Sequence, residues 1–197
     1  MSPRIGRRPA ILAGLGLLSA CASAPSRYYQ LRAMPGAAPS GAGPASLQLR
    51  RVGIPGSLDR AAIVRGGDGA RLLVAEDDLW AEPFGDLVTR VLAEDLRLRL
   101  PGTAVIAEGS AVDLAGALIL EVELGHFEAT GGGSVLLQGQ AGLRRRNEAA
   151  TLAVQPLRSE VPLPSPDVPA VVSAMSTALA QAADALAAMV GRFPGRA

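Results

Sequence analysis

Cys21 is the only thiol in a chain of 197 residues, and Leu18-Ser19-Ala20 stands immediately before it. An aliphatic residue, two small residues and then cysteine is the order that lipoprotein processing requires. The small side chains fit the peptidase cleft, and the thiol accepts diacylglycerol before cleavage exposes its amine. Cys21 is therefore expected to be the lipidated N-terminus, with Leu18, Ser19 and Ala20 as the signal-peptidase recognition residues. With no second cysteine, a disulfide within the chain is excluded.

Few other side chains offer chemistry. His126 is the single histidine, which rules out a His-rich metal site. It stands at the end of an alternating run, on the face of Leu118, Leu120, Val122 and Leu124, where a structural role is favoured over a general base. Glu121 and Glu123 share the other face with nothing basic in the local pattern, and read as a solvated strand surface. Asp77 and Asp78 read as helix caps. Arg144-Arg145-Arg146 is the one basic cluster of the mature chain; on a hairpin it can meet lipid phosphates or an acidic partner, with a solvated turn as the simpler reading. Gly66-Gly67-Asp68-Gly69 is a tight turn, but no helix starts behind it to complete a phosphate cradle. A Gly-x-Ser-x-Gly segment is absent as well. The expectation is a non-enzyme with no metal and no cofactor, apart from the covalent diacylglycerol and acyl lipid on Cys21.

The elements around these residues follow from pattern. Arg4, Arg7 and Arg8 are the only charges in the first twenty residues, and the apolar run Pro9 to Leu18 is too short for a permanent membrane span. A basic start and a short apolar core make residues 1–20 a secretory signal. Its removal takes three of 19 basic side chains, leaving 16 against 18 acids, so a nucleic-acid partner has no support. Residues 21–46 are read as a lipidated tether, since 33–46 are almost wholly Ala, Pro, Gly and Ser and lack apolar periodicity. Tyr28, Tyr29 and Leu31 interrupt that composition and suit an edge strand that docks on the domain.

Residues 47–197 read as one domain. Leu47 to Ile54, Ala61 to Arg65 and Arg71 to Ala75 suggest short strands. A helix follows, with Pro83 in its first turn and Phe84, Leu87, Val88, Val91, Leu92 and Leu96 on its apolar face. Pro101-Gly102 ends it. Strands are then expected over Thr103 to Ala107, over Leu118 to Leu124, around Val135 to Leu143 and over Thr151 to Leu157. A proline-rich connection leads to a second helix capped by Asp167. Its apolar seam runs Val168, Val172, Met175, Leu179, Ala182, Leu186, Met189, and is expected to lie flat on the sheet. The order predicts an α+β fold: a two-layer sandwich of a mostly antiparallel sheet with two principal helices packed on one face.

Three blocks carry a resemblance: Tyr28-Tyr29-Gln30-Leu31, Leu58-Asp59-Arg60-Ala61-Ala62-Ile63-Val64 and Leu79-Trp80-Ala81-Glu82-Pro83-Phe84. Together they are similar to the ABC-type transport auxiliary lipoproteins, the PqiC-like components of MCE systems, over essentially the whole mature chain. The resemblance marks Tyr28, Tyr29, Leu58, Asp59, Arg60, Trp80, Glu82 and Pro83 as structural or interface residues. Trp80, the only tryptophan, is expected to plug the junction of helix and sheet; Asp59 and Arg60 stand at a turn, able to pair or to touch a neighbouring subunit.

What the resemblance implies is a docking subunit that works beside an ABC permease, its ATPase and an MCE-domain protein to move lipids between membranes. It also implies attachment to the inner, periplasmic leaflet of the outer membrane, and rings of subunits in PqiC-like members. Ala22, rather than aspartate, follows Cys21 and favours outer-membrane sorting. Two other functions stay open: a carrier with its own apolar cavity between sheet and helices, and an envelope hydrolase with His126 in a polar cleft.

Overall fold

The computed structural model describes residues 25–37, 43–67, 71–112 and 118–194. The expected signal peptide and the lipidation residues Leu18, Ser19, Ala20 and Cys21 lie outside the described residues. Ten elements follow in order: β1 (Arg27–Tyr29), β2 (Ser46–Leu49), β3 (Ala62–Val64), β4 (Val74–Trp80), α1 (Phe84–Arg99), β5 (Ala104–Ala107), β6 (Leu118–Ala129), β7 (Ser134–Arg145), β8 (Thr151–Pro162) and α2 (Val168–Val190). The fold is α+β, as its element order predicted.

The strands form two sheets. The larger has the order β5-β2-β6-β7-β8, with β2 parallel to both β5 and β6 and an antiparallel meander through β6, β7 and β8. The smaller has the order β1-β4-β3, with β1 parallel and β3 antiparallel to β4. Along β6, Leu118, Leu120, Val122 and Leu124 are buried while Glu121 and Glu123 are exposed, the alternation of a strand with one wet face. α2 packs on β6, β7 and β8, and α1 lies beside α2 and over β5. Every residue of the predicted α2 seam is buried. Asp167 caps that helix, accepting the Ala170 N–H at 2.8 Å. The helix is apolar and long enough to cross a membrane by composition, but two-thirds of its apolar window is packed inside the domain.

Four expectations need correction. Asp77 and Asp78 do not cap α1; both belong to β4, and Asp78 is 4 % exposed. The strand continues through them because Arg27 on β1 neutralises Asp78, with Nε on Oδ1 at 2.6 Å and Nη2 on Oδ2 at 2.8 Å. That hydrogen-bonded guanidinium also holds the Asp78 carboxyl below its usual range.

His126 does not share the face of Leu124. The register slips between Leu124 and His126, so Phe127 turns into the core and His126 turns out beside Glu128, 3.1 Å away.

Glu121, expected to lack a basic neighbour, receives Arg144 at 3.2 Å from the adjacent strand. Arg144 and Arg145 are in β7 rather than in the turn, and Arg145 stands 3.8 Å from Glu148. Arg146 donates to Gln48 at 2.8 Å.

Within residues 21–46, the edge strand expected at Tyr28, Tyr29 and Leu31 is present: β1 pairs with β4, and Leu31 is 2 % exposed. The tether reading needs correction beyond it, because the Met34 backbone is held by the side chains of Asp95 and Arg99. Those partners are distant in sequence, so the composition of 33–46 carries no sign of them.

Candidate functional site

The three resemblance blocks are the three strands of the small sheet and their continuation into α1. Tyr28 lies opposite Leu79, Tyr29 opposite Trp80, and Ala62 opposite Leu79 on the other side. Two backbone bonds lock the junction: Trp80 N–H to the Ala61 carbonyl at 2.8 Å and Ala81 N–H to the Tyr29 carbonyl at 2.9 Å. Trp80 is buried at the end of β4 and stacks on Phe84 with ring centroids 4.8 Å apart; Phe84 in turn stacks on Phe127 at 5.7 Å. Trp80 thus fills the corner between the small sheet and α1, and couples it to β6.

α1 starts at Pro83, which has no side chain to cap the free N–H groups of the first turn. Asp59 supplies the missing acceptor from a different part of the chain. The Leu58 and Asp59 N–H groups both bond the Pro55 carbonyl, at 2.8 and 3.1 Å, and this tight turn brings Asp59 Oδ1 to 3.2 Å from the Gly85 nitrogen. A negative charge there also favours the positive end of the helix dipole. Arg51 bridges the same end, 3.5 Å from Asp59 and 2.7 Å from Asp86. The Asp86 hydrogen bond raises the Arg51 pKa above its ordinary value. Glu82 accepts Arg90 at 2.6 Å, and Arg90 also reaches Glu94 at 3.2 Å. Leu58 is buried beneath the turn, while Asp59, Arg60 and Pro83 face solvent. Between the turn and the β4–α1 corner runs an open groove of about 370 Å³, bordered by Arg60, Trp80 and Pro83.

Tyr28 and Tyr29 stand on the other side of β4. Tyr28 is 68 % exposed. Tyr29 is half-buried, and its phenol is raised above the ordinary value by that burial first and then by its hydrogen bond to Asp78. A second groove of about 570 Å³ lies between the segment Tyr28 to Met34 and the α2 residues Pro169 to Ser176. All eight marked residues from Tyr28 to Pro83 therefore gather around one small sheet and the start of one helix.

A buried polar cluster escaped the sequence reading. Arg99 is 1 % exposed and donates to the Met34 carbonyl at 2.9 Å and the Ala180 carbonyl at 3.0 Å; its Nε reaches Asp184 at 2.6 Å. Asp95, one turn earlier, accepts the Met34 N–H at 2.8 Å. Burial pushes the Asp95 carboxyl up to about 6. The available signal was an oppositely charged pair at i and i+4 flanked by Leu92 and Leu96. The arrangement clamps the N-terminal segment against both helices. Of the two Asp95 carboxylate oxygens, Oδ1 is engaged by the Met34 N–H and Arg99, while Oδ2 is buried without a hydrogen-bond partner.

Among the described residues, no group of three or more His, Cys, Asp or Glu side chains gathers as a metal site would require. His126 is exposed, and the hydrogen bond it makes is to a carboxylate on its own strand.

A family model described as ABC-type transport auxiliary lipoprotein component matches residues 29–187. A search of curated protein sequences finds no match to the chain. Solved structures share the fold. One, an uncharacterized protein, aligns with a TM-score of 0.72 and 22 % identity over 85 % of this chain and 99 % of its own. Another is a protein from Xanthomonas campestris assigned to the family DUF330, with a TM-score of 0.64 and 19 % identity over 82 % of this chain and 93 % of its own.

Proposed function

The chain belongs to the ABC-type transport auxiliary lipoprotein family, and on that premise we propose that it is a non-catalytic docking subunit of an MCE-type ABC transporter that moves lipids between the inner and outer membranes. In this reading Cys21 carries the lipid anchor in the periplasmic leaflet of the outer membrane. The folded domain receives the MCE-domain protein served by the permease and ATPase. A transport auxiliary component is not an enzyme family, and the reading asks no reaction of the chain.

The observation that carries it is the convergence of three separated sequence blocks on one small sheet and the start of α1. Asp59 and Arg60 on the turn and Glu82 and Pro83 at the helix start surround a corner made rigid by Trp80 and Phe84, and Tyr28 stands on the other side of β4. Such a surface has a stiff aromatic base and a polar rim, the anatomy of a protein contact. The carrier alternative requires an apolar cavity between the helices and the large sheet. That space is filled by Leu87, Val91, Leu120, Val122, Met175 and Leu179, each at most 5 % exposed.

The test is a crosslinking pull-down from intact envelopes with the wild type, Cys21→Ala and Arg60→Glu. The wild type is expected to capture an MCE-domain protein with its permease and ATPase. Cys21→Ala should lose membrane retention, and Arg60→Glu should stay on the membrane but lose the partner. Capture of no transporter component, with co-purifying lipid instead, would overturn docking in favour of a carrier.

A further inference from the structure

The parallel pairing of β1 with β4 fixes the direction in which β1 is entered. Arg27 stands beside Asp78. Followed back from Tyr29 to Arg27, β1 points the same way as β4 does when followed back to Val74 and on to the β3–β4 hairpin. Cys21 lies six positions before Arg27, a reach of at most about 20 Å. Leu73 stands five residues before Asp78, about 17 Å along the same direction at strand spacing. The hairpin arms extend along the entry direction of β1 about as far as six residues of chain can stretch.

Those arms carry the composition of a bilayer contact. Leu72 and Leu73 are 41 % and 48 % exposed, two of the six large apolar side chains left in water among the described residues. Arg65 and Arg71 flank them, both exposed. The arms are also held firmly. Leu73 N–H bonds the Gly66 carbonyl and Arg65 N–H bonds the Leu73 carbonyl, each at 2.8 Å. Gly66 has φ of 77°, and a Cβ there would lie 1.5 Å from the Ala129 carbonyl oxygen, so the hairpin is wedged against the end of β6. The Arg65 guanidinium is steadied by the Pro166 carbonyl. Between the two arginines and the β6–β7 turn opens a groove of about 680 Å³, with Leu73 and Leu163 in its walls. Leucines beside arginines suit the boundary of a membrane, the apolar chains entering the acyl region and the guanidinium groups meeting lipid phosphates.

We propose that the β3–β4 hairpin arms, through Leu72 and Leu73 with Arg65 and Arg71, form a second contact with the bilayer that holds the anchor, orienting the docking corner away from the membrane. The proposal rests on the reading of Cys21 as the lipidated residue. The hairpin fixes the domain's tilt, while the anchor alone fixes only its distance.

The lipidated full-length chain provides the test, because its cysteine thiol is consumed by the lipid. Leu73→Cys and, as a control on β8, Val154→Cys each introduce one labelling site. Both are exposed, and Trp80 emission checks that each variant is folded. With a polarity-sensitive fluorophore, the proteins are reconstituted into phosphatidylethanolamine–phosphatidylglycerol vesicles and floated. The expected result is a blue-shifted label at 73 that loses most of its emission to lipids bearing a nitroxide, with an unchanged label at 154. A floated protein whose label at 73 stays in water overturns the hairpin contact alone. A blue shift without lipid quenching also overturns it, pointing to contact between copies of the chain. A protein that fails to float and whose N-terminus shows no lipid by mass spectrometry overturns the lipidation reading, and the hairpin contact with it.

Discussion

Asp95 and Arg99 stand one turn apart on α1, both closed off from water, with Arg99 Nη1 3.3 Å from Asp95 Oδ1. The pair joins three regions of the chain, since Met34 lies on one side and Ala180 and Asp184 on the other. Removing Asp95 leaves Arg99 paired with Asp184 but takes the acceptor away from the Met34 N–H, and an unsatisfied donor is costly. Asp95→Ala is expected to destabilise the domain by about 1–3 kcal/mol. Urea unfolding followed by Trp80 emission reads the change; a midpoint equal to wild type would show that the cluster is not a clamp.

The same carboxylate gives stability a pH dependence with a definite sign. Asp95 titrates near 6 in the folded chain against an ordinary 3.8, because burial disfavours its charged form. As pH falls from about 6 toward 4, the native state takes up a proton that the unfolded chain does not, and stability rises by up to about 1.4 kcal/mol per pH unit. At still lower pH the trend reverses. Asp78, held low by Arg27, and Asp167, held low by the Ala170 N–H, are protonated and lose their contributions as pH falls through their folded values. Asp95→Asn should flatten the limb between 4 and 6 and leave the acid limb in place. Denaturation midpoints across the range check both limbs.

Leu31 is the apolar plug by which the N-terminal segment closes on the domain. Leu31→Ala is expected to cost about 2–5 kcal/mol, whereas Tyr28→Ala, three residues earlier and exposed, should stay within about 0.5 kcal/mol. Thermal unfolding of the two variants side by side distinguishes a docked segment from a tether: equal melting points would restore the tether.

Gly36 is where that segment passes closest to the buried guanidinium. A Cβ at this position would lie 2.3 Å from Arg99 Nη2, while Gly56 has nothing within 4 Å of its added Cβ. Arg99 cannot swing aside, because Asp184 and the carbonyls of Met34, Asp95 and Ala180 hold it. Gly36→Ala is expected to lose about 1–3 kcal/mol and Gly56→Ala to be near neutral. The comparison is a melting-temperature measurement, and similar values for both would mean that Arg99 yields.

How much of this was legible depended on whether the deciding partner was near in sequence. α2 was readable in full, because its cap, its first-turn proline and its seam are all local. The meander β6-β7-β8 was readable from alternation, until Gly125. There the register slip turned His126 outward, and a period-two pattern carries no sign of such a slip. Asp77 and Asp78 look like caps in isolation. Arg27, about fifty positions away, makes them strand residues, and Asp59 takes the role they were expected to play. The residues from Tyr28 to Pro83 were marked through blocks of sequence, and their gathering around one small sheet is a consequence of strand order. The clamp at Arg99 was the least legible, since half of its partners are backbone carbonyls, which have no signature in composition.

The parallel run of β1 beside β4 has a mechanical consequence. A pull on Arg27 directed along the axis of β1 acts along the strand rather than across it. The β1–β4 hydrogen bonds, the Arg27–Asp78 fork and the seat of Leu31 are then loaded together in shear, and none can be peeled away before the others. The first three-residue strand of this domain is therefore placed to serve as its strain relief, taking tension at the surface before any of it reaches α1 or α2.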